Sequence, residues 1–123
     1  MADHNDLGKT AEDLAVTHLQ KNGYTILVRN FRFQKAEIDI IAEKDNLIVV
    51  VEVKARSTDV FMLPQEAVTK TKIKLLVSAA NHFMEEFKRD QEVRFDIISV
   101  LADRKKNLTI EHITDAFEAF DAN

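Results

Sequence analysis

A glutamate and a lysine stand at the end of an apolar run in the middle of the chain. The segment "LIVVVEVK" places Glu52 and Lys54 two positions apart, directly after residues 47–51. Residues two apart in a strand share a face, so both charges are expected on one side of a strand that otherwise enters a core. The preceding segment "AEIDIIA" alternates apolar and acidic residues and carries Glu37 and Asp39, which strict alternation places on one face.

The segment "KDN" at 44–46 predicts a tight turn between these two strands. If residues 45 and 46 form the loop, Asp39 lies opposite Glu52 and Glu37 lies opposite Lys54. Directly paired side chains have Cβ atoms about 4.5–5.5 Å apart, so two carboxylates would face and repel each other beside a core. Lys54 supplies one compensating charge, and a divalent cation would supply more.

Mg²⁺ prefers oxygen ligands, typically one or two carboxylates with water and phosphate oxygens. Such an ion could hold a phosphodiester and lower the pKa of a bound water, while a lysine orients that water or neutralises the phosphate. The alternative is a solvated strand face whose ion pairs are each worth under about 1 kcal/mol. Glu12, beside Ala11 on the first predicted helix, could reach the same cluster or could be an ordinary surface acid.

Hydrophobic periodicity predicts the elements that position these residues. Apolar residues at helical spacing over 7–19 predict a first helix, with Gly23 just after its end. The remaining segments predict three strands, a second helix after a loop containing Pro64, and two more strands, at residues 24–33, 36–42, 47–54, 73–87, 93–101 and 108–113. The third strand is apolar on both faces and is therefore expected to be central. The order αβββαββ indicates an α/β fold with a mixed central sheet flanked by helices.

The 123 residues are enough for one core, so we expect a single domain over 1–123 with loose ends at 1–6 and 119–123. The absence of cysteine excludes disulfides and thiolate zinc sites. The polar first residues do not match a secretory signal, and no apolar run approaches the roughly 18 residues of a membrane span. We therefore expect a cytoplasmic protein without a membrane partner.

The net charge of −4 is unevenly distributed. Residues 1–13 hold four acids and one base, and residues 111–123 hold four acids and no base. The segment between them has 16 bases and 13 acids, so a mildly basic body lies between acidic ends. Whole-chain charge therefore neither favours nor excludes a nucleic-acid partner, for which a local basic surface is what matters.

An acid in a first helix, then Asp, about a dozen residues and Glu-x-Lys together resemble the PD-(D/E)xK nuclease superfamily, whose core is αβββαβ. The chain is more closely similar to the uncharacterised YraN-like family, related to endonucleases by fold. The matching stretches run from Gly8 to Phe117 and are "LGKTAEDLAVTHLQKNGYTILVRNFR", "AEIDIIA", "VVVEVKAR", "PQEAVTKTKIKLLVSAANHF", "RFDIISV" and "HITDAF". This resemblance implies a restriction-endonuclease-like fold.

The resemblance also implies roles for individual residues. Glu12 would be the helix acid of a catalytic site, and Asp39 and Glu52 would hold Mg²⁺ or Mn²⁺ together with the backbone carbonyl of Val53. Lys54 would orient water or neutralise charge.

Three positions bear on how far these implied roles apply to this chain. Glu37 matches the glutamate of the family's G-E-I-D motif, with its role as a ligand left open. The family usually has glycine where this chain has Ala11 and Ala36. Alanine at 36 could narrow the space beside Glu37, which bears on DNA approach and leaves the metal ligands untouched.

Two functions follow from this pattern. The first is a metal-dependent DNA endonuclease that hydrolyses phosphodiester bonds, with branched or structured DNA suggested by the similarity of the helix acid to archaeal-type Holliday junction resolvases. Resolvase-like action would need a homodimer. The alternative is a non-catalytic DNA- or protein-binding module that keeps the nuclease fold.

Several basic residues are candidates for weak DNA contacts, namely Arg32, Lys35, Arg56, Lys70 and Lys72. A solvated surface is the alternative for each, although the resemblance covers Lys72. Phe31 and Phe33 alternate with these bases and either stack on unpaired bases or pack into the core.

The remaining ionisable residues suggest no site. The four histidines show no metal-ligand spacing and no pattern of carboxylate partners. Arg94 and Asp96 share a strand face, and we expect an ion pair between them at the sheet edge.

Overall fold

The computed structural model describes residues 4–57 and 68–122. Its elements are α1 (His4–Lys21), β1 (Thr25–Phe33), β2 (Ala36–Lys44), β3 (Leu47–Ser57), α2 (Lys70–Glu86), β4 (Glu92–Ala102), β5 (Leu108–Phe117) and a 3₁₀ helix (Ala119–Ala122). The predicted order αβββαββ is confirmed. The loop containing Pro64 lies outside the described residues. No helix in these ranges is long and apolar enough to cross a membrane.

The five strands form one sheet in the order β1-β2-β3-β4-β5. β3 and β4 are parallel, and the other neighbouring pairs are antiparallel. The sheet is therefore mixed and β3 is central, as its apolar sequence predicts. α1 packs on one face and α2 on the other. This is the arrangement expected of a restriction-endonuclease-like fold.

The end of α1 shows why the chain turns into the sheet where it does. Gly23 follows the helix with φ of +86°, a conformation that glycine adopts without strain. The N–H of Tyr24 then donates to the carbonyl of Leu19 at 3.0 Å, which closes the helix end. Leu19 and Tyr24 are both buried against the sheet, so this turn fixes the distance between α1 and β1.

The β2–β3 hairpin has the predicted two-residue loop. Asp45 and Asn46 have φ of +51° and +62°, and Asn and Asp are enriched in such hairpin turns. The ladder runs from the residues flanking the loop to Ile40, which lies opposite Val51. The predicted register is confirmed over this stretch, and its next pair in sequence is Asp39 with Glu52.

The strict alternation expected for β2 is wrong at Asp39. Ile38 and Ile41 both pack on the α2 side of the sheet, whereas Ile40 packs on the α1 side. The neighbours of Asp39 in β2, Ile38 and Ile40, pair with Phe31 and Arg29 of β1. The β1 residue between these partners is Asn30, which has φ of +54°. A residue in this left-handed region rotates the strand, so both strands change the faces on which their side chains lie.

Phe31 and Phe33 belong to the core on the α2 side. Both are half-buried against the apolar residues of α2. The Phe33 ring stacks on the His82 ring with centroids 4.1 Å apart, and Phe31 meets Phe83 edge to face at 5.5 Å. Since these faces are covered, core packing rather than base stacking is the role that the structure favours.

Asp96 is fully buried inside the sheet and is the centre of a polar network. Its carboxylate accepts hydrogen bonds from Arg94 Nε and Nη2 at 2.8 Å each, from the Asp115 backbone N–H at 3.0 Å and from His112 Nε2 at 2.8 Å. The predicted ion pair exists, but its placement at the edge was wrong because β4 lies between β3 and β5. The expectation that histidines lack carboxylate partners was wrong for His112, because β5 pairs with β4 from a distant part of the sequence. It was also wrong for His82, which lies 3.2 Å from Glu86 one turn further along α2.

The same network fastens α1 to the sheet. His112 donates to Asp96 through Nε2, because an ionised carboxylate only accepts, and a hydrogen bond of 3.1 Å joins its Nδ1 to His18 Nε2. Burial disfavours the Asp96 carboxylate, but the hydrogen bonds from His112 and Arg94 outweigh it and lower its pKa. Burial and the neighbouring His112 lower the pKa of His18.

We expect Asp96→Ala to reduce the free energy of unfolding by about 3 kcal/mol, because it leaves a buried hydrogen-bond network without its acceptor. Urea unfolding at pH 7.5 measures the change. Glu92→Ala removes an exposed carboxylate from the same strand and should stay within about 0.5 kcal/mol of wild type. Equal effects of the two substitutions would contradict a structural role for the network.

Candidate functional site

The candidate site forms where β2 and β3 separate. Just past the pair Ile40–Val51, the Asp39 carboxylate accepts the backbone N–H of Val53 at 2.8 Å. A side chain here takes the hydrogen bond that a neighbouring strand carbonyl would otherwise accept. The Asp39 carboxyl group also interacts with that of Glu52. The paired ladder itself ends one pair earlier, at Ile40 and Val51.

The two carboxyl groups perturb each other. Burial, the hydrogen bond with Glu52 and repulsion by its charge raise the pKa of Asp39 to about 7. The Val53 N–H and the Lys72 ammonium act in the opposite direction but do not cancel this shift. Near neutral pH the pair therefore tends to keep a proton on Asp39, because two adjacent buried carboxylates do not both ionise without added positive charge.

Glu52 is almost fully buried, with 4% of its surface exposed. Within residues 4–57 and 68–122, its Oε2 atom has no hydrogen-bond partner, and the Lys72 ammonium lies 3.4 Å from it. Lys54, predicted to supply the compensating charge, is half-buried and forms no ion pair with the residues that the structure describes. Sequence reasoning considered Lys72 only as a DNA contact, because α2 is 18 or more residues away along the chain.

Glu12 reaches the site from α1, as predicted. It lines a cavity of about 220 Å³ together with Gly8, Ala11, Asp39, Val53 and Ala55. Its Oε1 atom accepts hydrogen bonds from Arg29 Nε at 3.1 Å and from Asn30 Nδ2 at 3.0 Å. Asn30 is the residue whose left-handed backbone bends β1, so the bend that moves Asp39 also orients Glu12. Nothing in the sequence signalled Arg29 or Asn30 as members of the site.

Glu37 lies outside this carboxylate pair. It forms an ion pair with Arg32 of β1 at 2.8 Å rather than with the predicted Lys54. Arg32, a candidate DNA contact, therefore already has a carboxylate partner, although most of its side chain is exposed.

The other candidate DNA contacts differ in the solvent exposure of their side chains. Lys35 and Lys70 are exposed. Arg56 is half-buried, and its Nε and Nη1 atoms have no hydrogen-bond partner among the described residues. Lys72 pairs with Glu52 as described above.

The site offers only part of the ligand set that a hard divalent cation needs. Within residues 4–57 and 68–122, no three His, Asp or Glu side chains are arranged to hold a metal ion. Asp39 and Glu52 provide two carboxylates, and the unpartnered Oε2 of Glu52 is a buried acceptor that lacks a donor. Two carboxylates and a backbone carbonyl, here that of Val53, suit Mg²⁺ or Mn²⁺, which retain several waters.

In metal-free buffer with chelator, we expect the difference in unfolding free energy between wild type and Asp39→Asn to depend on pH. The pKa of Asp39 is about 3.9 when unfolded and about 7 when folded, so the folded state binds more protons between these values. The proton that the folded state holds on Asp39 therefore stabilises the fold fully below pH 4, and this stabilisation is lost as the pH rises through 7. The amide keeps the Val53 hydrogen bond but does not titrate.

Between pH 5 and pH 8, the free energy of unfolding of wild type should therefore fall by at least about 1.4 kcal/mol relative to that of Asp39→Asn, which is the equivalent of one pKa unit. Urea unfolding across this range measures it, and the histidine contributions cancel because both proteins contain them. Asp90→Asn, an exposed site, is the matched control and should track wild type. A constant difference across the range would contradict a raised pKa.

Three relatives match this chain over nearly their whole length. The model of the uncharacterised protein family UPF0102 matches residues 11–100. A UPF0102 protein of Flavobacterium psychrophilum is 56% identical over 120 residues, covering 98% of this chain and all of the relative. A relative from Christiangramia forsetii is 51% identical over 120 residues, covering 98% of this chain and all of the relative. A relative from Bacteroides thetaiotaomicron is 49% identical over 117 residues, covering 95% of this chain and 96% of the relative. The chain therefore belongs to the uncharacterised UPF0102 family, as its resemblance to the YraN-like proteins predicts.

Proposed function

We propose that this protein is a divalent-metal-dependent DNA endonuclease of the PD-(D/E)xK type, acting in the cytoplasm. The observation that carries the proposal is the interaction between the half-buried Asp39 and the buried Glu52 at the point where β2 and β3 separate. A fold does not require two carboxyl groups to lie against each other at the edge of a core, and the arrangement costs stability unless it has a use. The cavity that Asp39 lines gives this carboxyl group access from outside.

Asp39, Glu52 and the Val53 carbonyl would hold Mg²⁺ or Mn²⁺. When bound, such an ion stabilises charge on a phosphodiester and acidifies a water ligand. Hydrolysis adds the water oxygen to phosphorus and breaks one P–O bond, with a proton passing to the departing sugar oxygen. Glu12, held by Arg29 and Asn30, is placed at the cavity wall to orient water or accept a proton.

Lys54 is the group we assign to the attacking water or the phosphate. It follows Glu52 by two positions on the strand, and it is not engaged in an ion pair with any described residue. An ammonium free of a carboxylate can approach an anionic substrate without first breaking a bond. Lys35, Arg56 and Lys70 are the proposed contacts to the DNA backbone, and Arg32 would exchange its ion pair with Glu37 for a phosphate.

Branched or structured DNA is the proposed substrate class. This choice rests on the Glu12 arrangement, which resembles that of archaeal-type Holliday junction resolvases. Cutting two strands of a junction symmetrically requires two copies of the site, so the active form would be a homodimer. Sedimentation with and without a four-way junction tests this part of the proposal separately from the chemistry.

A non-catalytic DNA- or protein-binding module is the second candidate. One observation favours it, namely that Glu52 already has a cationic partner in Lys72. A site whose charge is balanced by a lysine needs no metal, so this candidate predicts DNA or protein binding that is insensitive to divalent ions.

Calorimetric titration with Mn²⁺ separates these functions. We expect wild type to bind and the double variant Asp39→Asn, Glu52→Gln not to bind, with Mn²⁺ raising the thermal midpoint of wild type only. DNA is included in a second titration, because phosphate oxygens complete the ligand shell of Mg²⁺-type ions. Absence of Mn²⁺ binding in both titrations would leave the binding module as the better account.

Cleavage of linear, flapped and four-way DNA with Mg²⁺ or Mn²⁺ tests the chemistry. We expect Glu52→Gln to abolish cleavage and Lys54→Met to reduce it by about 10²–10³-fold, as loss of one electrostatic group does in other hydrolases. Glu111→Gln and Lys74→Met are controls that neutralise exposed residues on β5 and α2. Cleavage by Glu52→Gln at the wild-type rate would refute the nuclease assignment.

A further inference from the structure

We infer that Lys72 is the resident cation of this site and that a divalent ion must displace its ammonium from Glu52. The inference rests on the proposed function for the identity of the competing ion. It assigns to Lys72 a task different from that of Lys54, which precedes the DNA contact considered from the sequence.

The first observation is the environment of Glu52. Its side chain is 5% exposed, and burying a carboxylate is costly unless positive charge or hydrogen bonds compensate. The Lys72 ammonium lies 3.4 Å from Oε2, and no residue that the structure describes forms a hydrogen bond with that oxygen. Lys72 thus supplies charge without a well-directed hydrogen bond, which is a partial substitute for a closely bound cation.

The second observation is how Lys72 is positioned. Thr69 caps α2, accepting the Lys72 N–H on its hydroxyl at 3.2 Å and the Ile73 N–H on its carbonyl at 2.9 Å. Ile73 is buried in the core, so the first turn of α2 is fixed against the sheet beside Glu52. The backbone of Lys72 is therefore held firmly, while its flexible side chain carries the charge to the site.

The third observation is electrostatic. Lysine in the first turn of a helix is disfavoured by the helix dipole, whose positive end lies there. The first turn of α2 contains no acidic residue to offset this. The contact with Glu52 is what balances the ammonium, so the helix does not oppose its release. With 35% of its side chain exposed, Lys72 can move into solvent without first being uncovered.

These observations assign different states to the two lysines. In the metal-free protein Lys72 neutralises Glu52, while Lys54 pairs with no described residue and stays available to substrate. When a divalent ion takes Glu52, the Lys72 ammonium is freed at the N-terminal end of α2, where it can meet a phosphate of the bound DNA. Metal binding would thereby add one cation to the DNA-binding surface.

The test is Mn²⁺ calorimetry and thermal unfolding of wild type, Lys72→Met and Lys72→Arg. Without the competing ammonium, Lys72→Met should bind Mn²⁺ about tenfold more tightly, since a partly buried ion pair no longer has to break. Its metal-free form should melt at a lower temperature, because Glu52 loses its counter-charge, and Mn²⁺ should raise that temperature more than in wild type. Lys72→Arg keeps the competing charge and should not bind more tightly than wild type.

Lys74→Met is the matched control, because it removes the same charge from an exposed lysine two positions along α2 that has no contact with Glu52. It should leave Mn²⁺ affinity close to the wild-type value. Should Lys72→Met fail to fold, Lys72→Gln removes the charge and keeps a polar end, and the same tighter binding is expected of it.

The outcomes separate this inference from the proposed function. Binding by wild type and tighter binding by Lys72→Met support both. Binding by Lys72→Met alone supports the inference and overturns metal dependence of the wild-type protein. Equal or weaker binding by Lys72→Met, with wild type binding, overturns the inference and leaves the proposed function standing. Absence of binding by both proteins, without DNA and with it, overturns both.

Discussion

The hydrogen bond from the Val53 N–H to the Asp39 carboxylate is the interaction on which the site depends. It forms where the β2–β3 ladder has passed Ile40 and Val51, and it allows the two central strands to separate without leaving a buried N–H unpaired. The separation opens the cavity on the α1 side and brings Asp39 against Glu52. A regular ladder would keep the strands together and bury both carboxyl groups with no access.

Each helix contributes side chains to the site from its own face of the sheet. α1 lines the cavity with Ala11 and Glu12 at one end, and it is fastened to the sheet at the other end through His18, His112 and Asp96. α2 packs on the opposite face and places Lys72 against Glu52. The carboxyl pair thus lies between an acid from one helix and a cation from the other, and the charge of the site depends on both.

The balance of charge decides between the two proposed functions. Two buried carboxyl groups with one ammonium nearby can remain as they are, with a proton on Asp39, or can exchange the proton and the ammonium for a divalent ion. A nuclease uses the second state, whereas a binding module needs only the first. The fold accommodates both, which is why membership of the UPF0102 family does not by itself assign an activity.

The sequence by itself determined whatever depends on neighbouring residues. Periodicity set the order αβββαββ, Gly23 set the end of α1, and the Asp45–Asn46 turn set the register that aligns Asp39 with Glu52. These features follow from backbone conformations and side-chain spacings that are local to each segment. The same locality explains why the face expected at Asp39 and the partners expected for Glu37, Glu52 and His112 were wrong, since each depends on another segment.

Only the tertiary structure decided those partners. The change of faces at Asp39 follows from the bend at Asn30 in another strand, and the network around Asp96 joins side chains from α1, β4 and β5. The pairing of Glu52 with Lys72 required α2 to pack across β3. Such contacts join residues that are far apart in the chain, and burial, which makes them strong, exists only once the sheet and its helices are assembled.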